Sequence, residues 1–344
     1  MKHKSHSHIT NHTTKLETYD GYTPISTIGI GTFGAVFLAN DSEGNKVAIK
    51  KVYLDPKFKN RELDIVCKLK HPNCLQYITH YTTKEGTNNS VYLHLVTGYL
   101  PESLTTFLNR QPFPLPLYIK IFGYQLFAGL SYLHHHGVCH RDIKPSNVLV
   151  DPQDGRLQIC DFGSAKFLLP NEVSVSYIST RCYRAPELLL DCPNYTTAID
   201  TWAAGCVLAE MVLQGKPLFY GSNNNELLNR IMRIIGPPQK SDLDTFVHKK
   251  QISFFGGKIR SLRAVLPNYV QDDFVDLLQK IFLYAPDKRL TADECMKHPF
   301  FAELFNEDVK VPGSNMCLPE YLKLMRTPEE MIRNFPNGPK PPVK

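Results

Sequence analysis

The chain has 344 residues, 39 Lys+Arg against 33 Asp+Glu, a formal net charge of +6 and 42% hydrophobic residues. That content supports a sizeable core and excludes wholesale disorder, and the mild charge gives no case for nucleic acid as a partner. Nine cysteines without a C-x-x-C pair argue against a disulfide framework and for a reducing compartment. The stretch from Leu115 to Leu133 is interrupted by Pro116, Lys120 and Gln125 and is too polar to span a bilayer. The polar start has no apolar signal-peptide region, so the chain reads as soluble and intracellular, with no membrane partner.

In chain order, residues 1–20 show no hydrophobic period and carry His3, His6, His8 and His12. They read as a disordered tail rather than a metal site. From Tyr22 to Thr97 the sequence is strand-like, with runs Ala35 to Leu38, Val47 to Ile49 and Val91 to Val96 separated by Asp-Ser-Glu-Gly-Asn and Lys-Glu-Gly-Thr-Asn-Asn turns. One helix is predicted over about Lys59 to Leu69, its stripe Phe58, Glu62, Ile65 and Leu69 spaced four, three and four apart. A carboxylate on that stripe is either a rim residue or points inward to a buried cation.

After Pro101 the chain turns mainly helical. Ile119, Phe122, Leu126, Leu130 and Leu133 share one face, and Ala198 to Leu213 is apolar nearly all round, which marks a central buried helix. Leu277, Leu278, Ile281 and Phe282 supply another helix, and the Pro-rich end from Pro336 to Lys344 reads as a tail. The predicted fold is α+β and bilobal. A small β-rich lobe with one helix (21–97) precedes a larger α-helical lobe (98–304) with a cleft where they meet, followed by an extension over 305–344.

The string Gly29-Ile30-Gly31-Thr32-Phe33-Gly34-Ala35-Val36 matches G-x-G-x-x-G-x-V. Its glycines let backbone amides approach phosphates without a Cβ in the way. A dinucleotide site would need a helix next, whereas Ala35 to Leu38 continues as a strand, so a phosphate-covering hairpin is expected. Lys50 ends Val47-Ala48-Ile49-Lys50, and Glu62 offers it a partner that would hold the ammonium toward the α- and β-phosphates. In His140-Arg141-Asp142-Ile143-Lys144-Pro145-Ser146-Asn147, Asp142 can accept a substrate hydroxyl proton, Lys144 can neutralise the transferring phosphoryl group and Asn147 can ligate magnesium. Asp161-Phe162-Gly163, nineteen residues past Asp142, places a second carboxylate for that metal. Ala185-Pro186-Glu187, Asp200-Thr201-Trp202-Ala203-Ala204-Gly205 and Arg289, available to pair with Glu187, read as structural anchors. His134-His135-His136 with Cys139 and His140 looks metal-like, but successive helical residues splay about 100° apart, so a helix end and a packed His140 are expected instead of zinc. Cys160 reads as a small hydrophobe beside the nucleotide.

These motifs, in this order over residues 22 to about 304, resemble a eukaryotic protein kinase domain. Lys144 resembles the serine/threonine kinases, and Tyr183-Arg184-Ala185-Pro186-Glu187 resembles the CMGC group. Val47 to Val52, Phe58 to Leu63, Cys160 to Lys166 and Val175-Ser176-Tyr177-Ile178 narrow the similarity to the glycogen synthase kinase 3 family. A MAP kinase would show Thr-x-Tyr where Val175-Ser176-Tyr177 stands.

The resemblance implies a protein serine/threonine kinase that uses ATP and Mg2+. ATP-binding positions would be Ile28, Gly29, Gly31, Gly34, Val36, Ala48, Lys50, Glu62, Thr97, Gly98, Tyr99 and Leu100, with Thr97 as gatekeeper and Gly98-Tyr99-Leu100 as the connector beside adenine. Asp142, Lys144, Asn147 and Asp161 would be catalytic, and Asn147 and Asp161 would hold the metal. Arg61, Arg141 and Lys166 would bind a phosphate four residues C-terminal to the target Ser or Thr, so that primed phosphoproteins are the expected partners. Tyr177 matches the family's autophosphorylated tyrosine, with Arg181 and Arg184 as its cationic partners. Gly98 and Cys182 replace an acidic residue and a tyrosine of the animal enzymes, and the segment from Gln239 to Arg263 is shortened, which counts against an axin-like scaffold partner. Residues 1–28 contain no Arg, so the animal family's N-terminal inhibitory serine is not expected. The expected location is cytoplasmic, extending to the nucleus. The alternatives are a CMGC-type kinase without priming and a catalytically inactive kinase-fold scaffold.

Overall fold

The computed structural model describes residues 21–31, 34–55, 60–111, 113, 115–169, 173–244 and 259–341. The expectations for the N-terminal histidines, for Thr32 and Phe33, and for Phe58 and Lys59 lie outside the described residues. The chain divides into two compact units. One comprises the described residues before 59 with Ile78–Tyr99, the other Lys59–Tyr77 with Leu100 onward.

In the first unit, β1 (Thr23–Gly31), β2 (Gly34–Asn40), β3 (Lys46–Tyr53), β4 (Tyr77–Glu85, entering it at Ile78) and β5 (Ser90–Gly98) form a sheet in the order β1-β2-β3-β5-β4. β3 pairs antiparallel with β2 on one side and β5 on the other, which buries its apolar residues: Val47 and Ile49 join Ala39 and Val96 in one cluster, with Tyr22 and Tyr81 packed against it. β4 alternates half-buried and exposed residues, as a strand with one solvated face should. Gly34 is required where it stands. Its φ is +147°, and a Cβ there would lie 1.9 Å from the Lys51 carbonyl oxygen.

The second unit opens with α1 (Arg61–Val66), which is shorter than predicted and starts where the Asn60 side chain caps it by accepting from the Leu63 amide at 2.9 Å. Leu69, placed on the helical stripe by periodicity, lies past its end. Then follow β6 (Glu102–Ser103), α2 (Leu104–Arg110), α3 (Pro116–His135), β7 (Val138–Cys139), β8 (Val148–Asp151), β9 (Arg156–Ile159) and β10 (Lys166–Phe167). β8 pairs antiparallel with β6 and β9, and β10 with β7. Proline fits the first turn of α3, where its missing N–H costs no helical bond.

Helices α4 (Pro186–Leu189), α5 (Ala198–Val212), α6 (Asn224–Ile235), α7 (Lys240–Leu243), α8 (Leu262–Val265), α9 (Asp272–Ile281), α10 (Ala292–Met296) and α11 (Pro328–Asn334) complete the unit. α5 is buried from Ile199 through Val212, as its all-round apolar sequence predicts. Its Gly205 lets α9 approach: a Cβ there would lie 2.6 Å from Ile281 Cγ2. Trp202, fully buried, packs on Phe219 and Phe282. The Pro-rich end differs from the predicted tail. The Asn337 carbonyl accepts the Tyr132 hydroxyl at 2.6 Å, so the start of this stretch is docked on α3.

Candidate active site

The loop between β7 and β8 gathers two predicted side chains around a third, the Asp142 carboxylate. Lys144 Nζ lies 2.7 Å from Asp142 Oδ2, and Asn147 Nδ2 donates to Asp142 Oδ2 at 3.1 Å and to its carbonyl at 2.9 Å. The backbone supporting them is tied down from α5. Asp200, 1% exposed, accepts the amides of His140 (2.7 Å, Oδ2) and Arg141 (2.8 Å, Oδ1), and His134 Nε2 lies 3.1 Å from its Oδ2. Burial pushes the Asp200 pKa upward, but the bond and charge of His134, the charge of His140 and the Arg141 amide together hold it below the usual range. The histidines thus serve structure: His135 Nδ1 meets the Ser131 carbonyl at 2.8 Å, His136 Nδ1 the Tyr132 carbonyl at 2.9 Å, and His140 Nε2 the Cys160 carbonyl at 2.9 Å.

β9 leads to Asp161, whose φ of +61° is left-handed, a conformation that a non-glycine residue keeps only when its surroundings impose it. Here the Cys160 amide donates to the Asn147 carbonyl at 3.0 Å, while buried Phe162 packs edge-on against the His140 ring. A Cβ at Gly163 would lie 3.5 Å from Asp161 Oδ1 and 3.9 Å from Glu62 Oε2. Glu62 is 8% exposed, so its carboxylate points inward rather than to a rim. The bonds on the Asn147 amide nitrogen turn its carbonyl oxygen away from Asp142. The carboxylate of Asp161 and the amide oxygen of Asn147 are both hard-oxygen donors, the types that suit a cation keeping waters and phosphate oxygens in its shell.

One residue that sequence reasoning missed completes this cluster. Thr180 donates to Asp142 Oδ1 twice, from its amide at 2.9 Å and its hydroxyl at 3.0 Å, and accepts from Lys144 Nζ at 3.0 Å. A hydroxyl residue just ahead of the Ala-Pro-Glu anchor was the available signal. That anchor is fixed by Arg289, whose guanidinium meets the two Glu187 carboxylate oxygens at 2.9 and 3.1 Å, both side chains being buried.

Arg141 and Lys166 come to the same stretch of chain. Arg141 Nε donates to the Ser164 carbonyl at 2.6 Å and its Nη1 to Tyr195 Oη at 3.0 Å, and that hydroxyl donates to the Val175 carbonyl at 3.1 Å. Lys166 Nζ donates to Ser174 Oγ at 2.9 Å. Ser174 and Tyr195 are further residues that the sequence did not reveal. Arg61 stands exposed in the first turn of α1. Tyr177 is exposed, and the Arg184 guanidinium lies 4.4 Å from its ring centroid. Hydrogen bonds from Arg184, then Arg181, draw the Tyr177 pKa down.

In the first unit, Gly29 is opposite Val36 and Gly31 opposite Gly34 in the β1–β2 hairpin, with Ile28 in β1. Lys50 faces Val36 and Leu95 across β3, while Ala48 faces Leu38 and Thr97. The Thr97 hydroxyl donates to the Ala48 carbonyl at 3.4 Å, and Gly98 ends β5, followed by Tyr99 and Leu100.

The protein kinase domain family matches residues 22–301, and the chain belongs to that family. Its β-sheet unit and helical unit are the small and large lobes of the bilobal α+β kinase fold, which serves ATP-dependent phosphorylation of proteins with a divalent cation. It is 43% identical over 299 residues to Protein kinase gsk3 of Schizosaccharomyces pombe, covering 85% of this chain and 77% of that one. It is 42% identical over 322 residues to Glycogen synthase kinase 3 of Trypanosoma brucei brucei, covering 90% and 91%, and 41% identical over 320 residues to Glycogen synthase kinase 1 of Pyricularia oryzae, covering 91% and 80%. The chain is a serine/threonine protein kinase of the glycogen synthase kinase 3 type.

Proposed function

We propose that this kinase uses Mg2+-ATP and favours a Ser or Thr placed four residues before an existing phosphoserine or phosphothreonine. The observation that carries the priming reading is the pair Arg141 and Lys166, each donating to a neutral hydroxyl beside the Ser174–Val175 stretch. A phosphate dianion is a stronger acceptor than either hydroxyl and would compete for both cations. Arg61 supplies a third.

In the transfer, the substrate hydroxyl gives its proton to Asp142 as its oxygen bonds the γ-phosphorus. The bond from the γ-phosphorus to the β–γ bridging oxygen breaks, and ADP leaves with that electron pair. Lys144 offsets charge on the moving phosphoryl group, and Lys50 and the Gly29–Gly34 hairpin hold the remaining phosphates. Asn147 and Asp161 would hold the cation, which when bound would supply charge neutralisation for the phosphates. Asp142 meets these demands because Lys144 and Asn147 leave its carboxylate one orientation. The partners are primed phosphoproteins, in a cytoplasmic location extending to the nucleus.

A matched peptide set decides the specificity. Peptides carrying Ser-x-x-x-phosphoSer should be turned over with kcat/KM at least tenfold above their unphosphorylated versions. Equal turnover would leave a kinase of this type without priming.

A further inference from the structure

Beyond Phe305 the chain forms a strap fastened along α3. It makes an isolated bridge between Lys310 and Cys317, a 3-10 segment over Glu320–Met325, and α11. Three α3 tyrosines meet its backbone carbonyls: Tyr118 reaches Pro312 at 2.8 Å, Tyr124 donates to Met325, and Tyr132 donates to Asn337 at 2.6 Å. Val311 and Pro319 pack over Gly155 in the β8–β9 turn, and Phe335 packs edge-on against His71.

One strap side chain reaches back into the lobe. Tyr321 donates to Gln125 Oε1 at 2.6 Å. Gln125 is fully buried, and the same oxygen accepts the Leu157 amide at 3.0 Å and Asn73 Nδ2 at 2.9 Å, while its Nε2 donates to the Gly155 carbonyl at 2.7 Å. Asn73 in turn donates to the Leu157 carbonyl and accepts the Ile159 amide, both at 2.9 Å. Leu157 and Ile159 belong to β9, which ends two residues before the left-handed Asp161.

We infer that the C-terminal strap is a positioning element of the active site, in which Tyr321, through Gln125, fixes the placement of the strand that delivers Asp161. The inference rests on the reading of Asp161 as a metal-holding carboxylate. Burial raises the Tyr321 pKa, which keeps its hydroxyl a donor at neutral pH. The donor matters because a buried primary amide can turn over. With Tyr321 present, Gln125 must present its oxygen toward Tyr321, Asn73 and Leu157. Without it, one constraint on that orientation is lost, and small displacements of reacting groups are costly in rate.

The test compares full-length Tyr321→Phe with Tyr124→Phe, which deletes another tyrosine-to-strap bond but does not touch Gln125. Tyr321→Phe should speed amide exchange at Leu157 and Ile159 by about fivefold, the equivalent of losing one hydrogen bond. It should lower kcat and raise KM for ATP by roughly two- to fivefold, leaving KM for the peptide unchanged. Tyr124→Phe should do neither. Wild-type exchange or wild-type kinetics in Tyr321→Phe, or the same changes in both variants, would overturn the inference and leave the strap as packing alone. Full turnover by Asp161→Asn would instead remove the reading beneath it, and the exchange result tells that failure apart from a failure of the strap.

Discussion

Thr180 grips Asp142 through both its amide and its hydroxyl, at 2.9 and 3.0 Å, and both bonds end on Oδ1. Lys144 and Asn147 take the opposite oxygen. The carboxylate is thereby turned by three partners drawn from two segments of chain. Thr180→Ala should lower kcat by about tenfold, the rate equivalent of one charge-assisted hydrogen bond, and Thr180→Ser should restore most of it. Steady-state kinetics on one good peptide checks this, and equal activity of the Ala and Ser variants would show that the hydroxyl is idle.

Asp142→Asn, Asp161→Asn and Lys50→Met should each reduce phosphotransfer by at least a thousandfold. On the proposed roles, each removes a proton acceptor, a metal ligand or a phosphate contact rather than core packing. Melting temperatures near that of the wild type would show that the loss is chemical. A variant retaining substantial turnover would remove its residue from the catalytic set.

Tyr177 lies under Arg184, with Arg181 as a second cation. Arg184 Nε already binds the Ile178 and Ser179 carbonyls at 2.9 and 3.0 Å, so it links the tyrosine to the turn that carries Thr180. A phosphate on Tyr177 would keep these cations in place with a dianion. Mass spectrometry of active protein should find phosphotyrosine at 177, and Tyr177→Phe should be several-fold less active. Full activity without that phosphate would make Tyr177 a neutral lid over Arg184.

The motif residues were readable because each chemical role demands one residue type at a short, fixed spacing: Asp142, Lys144 and Asn147 lie within six positions. Thr180 was not, because it meets Asp142 from 38 residues away through a turn that no local pattern encodes. Periodicity put Glu62 on an apolar stripe but could not choose between rim and interior, which tertiary burial decides. The Pro-rich end was misread as a tail for a different reason. Its anchors are the carbonyls of Pro336 and Asn337, which meet His136 and Tyr132, and backbone acceptors leave no signature in a sequence.

Two buried groups give the fold opposite pH dependences. Burial lifts Glu210 to about 7 against an ordinary 4.5, with the Tyr183 hydroxyl, donating at 2.7 Å, partly opposing it. The folded state therefore binds the extra proton between those values, and stability falls as pH rises through that window, by about 3 kcal/mol. Burial, with the charge of His136, lowers His71 to about 3 from 6.5, so stability is lost instead as pH falls from 6.5 toward 3. Glu210→Gln keeps an acceptor for Tyr183 and should melt several degrees above wild type at pH 8, the gap closing toward pH 5. Parallel melting curves across that range would rule out Glu210 as the source.

The last prediction separates priming from catalysis. Arg61 precedes buried Glu62 by one position on α1 and is therefore turned about 100° from it, toward the exposed side. Among the described residues no hydrogen bond or ion pair joins it to the catalytic loop, whereas Arg141 also shapes that loop through Ser164 and Tyr195. Removing Arg61 thus tests the anion site with least damage to the chemistry. A charge-assisted bond to phosphate contributes about 1.5–3 kcal/mol, so Arg61→Ala should cost a primed peptide roughly ten- to hundredfold in kcat/KM. Most of that loss should appear in KM, and an unprimed peptide should change by less than about twofold. Inorganic phosphate should compete with the primed peptide in the wild type and lose that effect in the variant. Equal losses on both peptides would assign Arg61 to the fold of α1 rather than to the substrate.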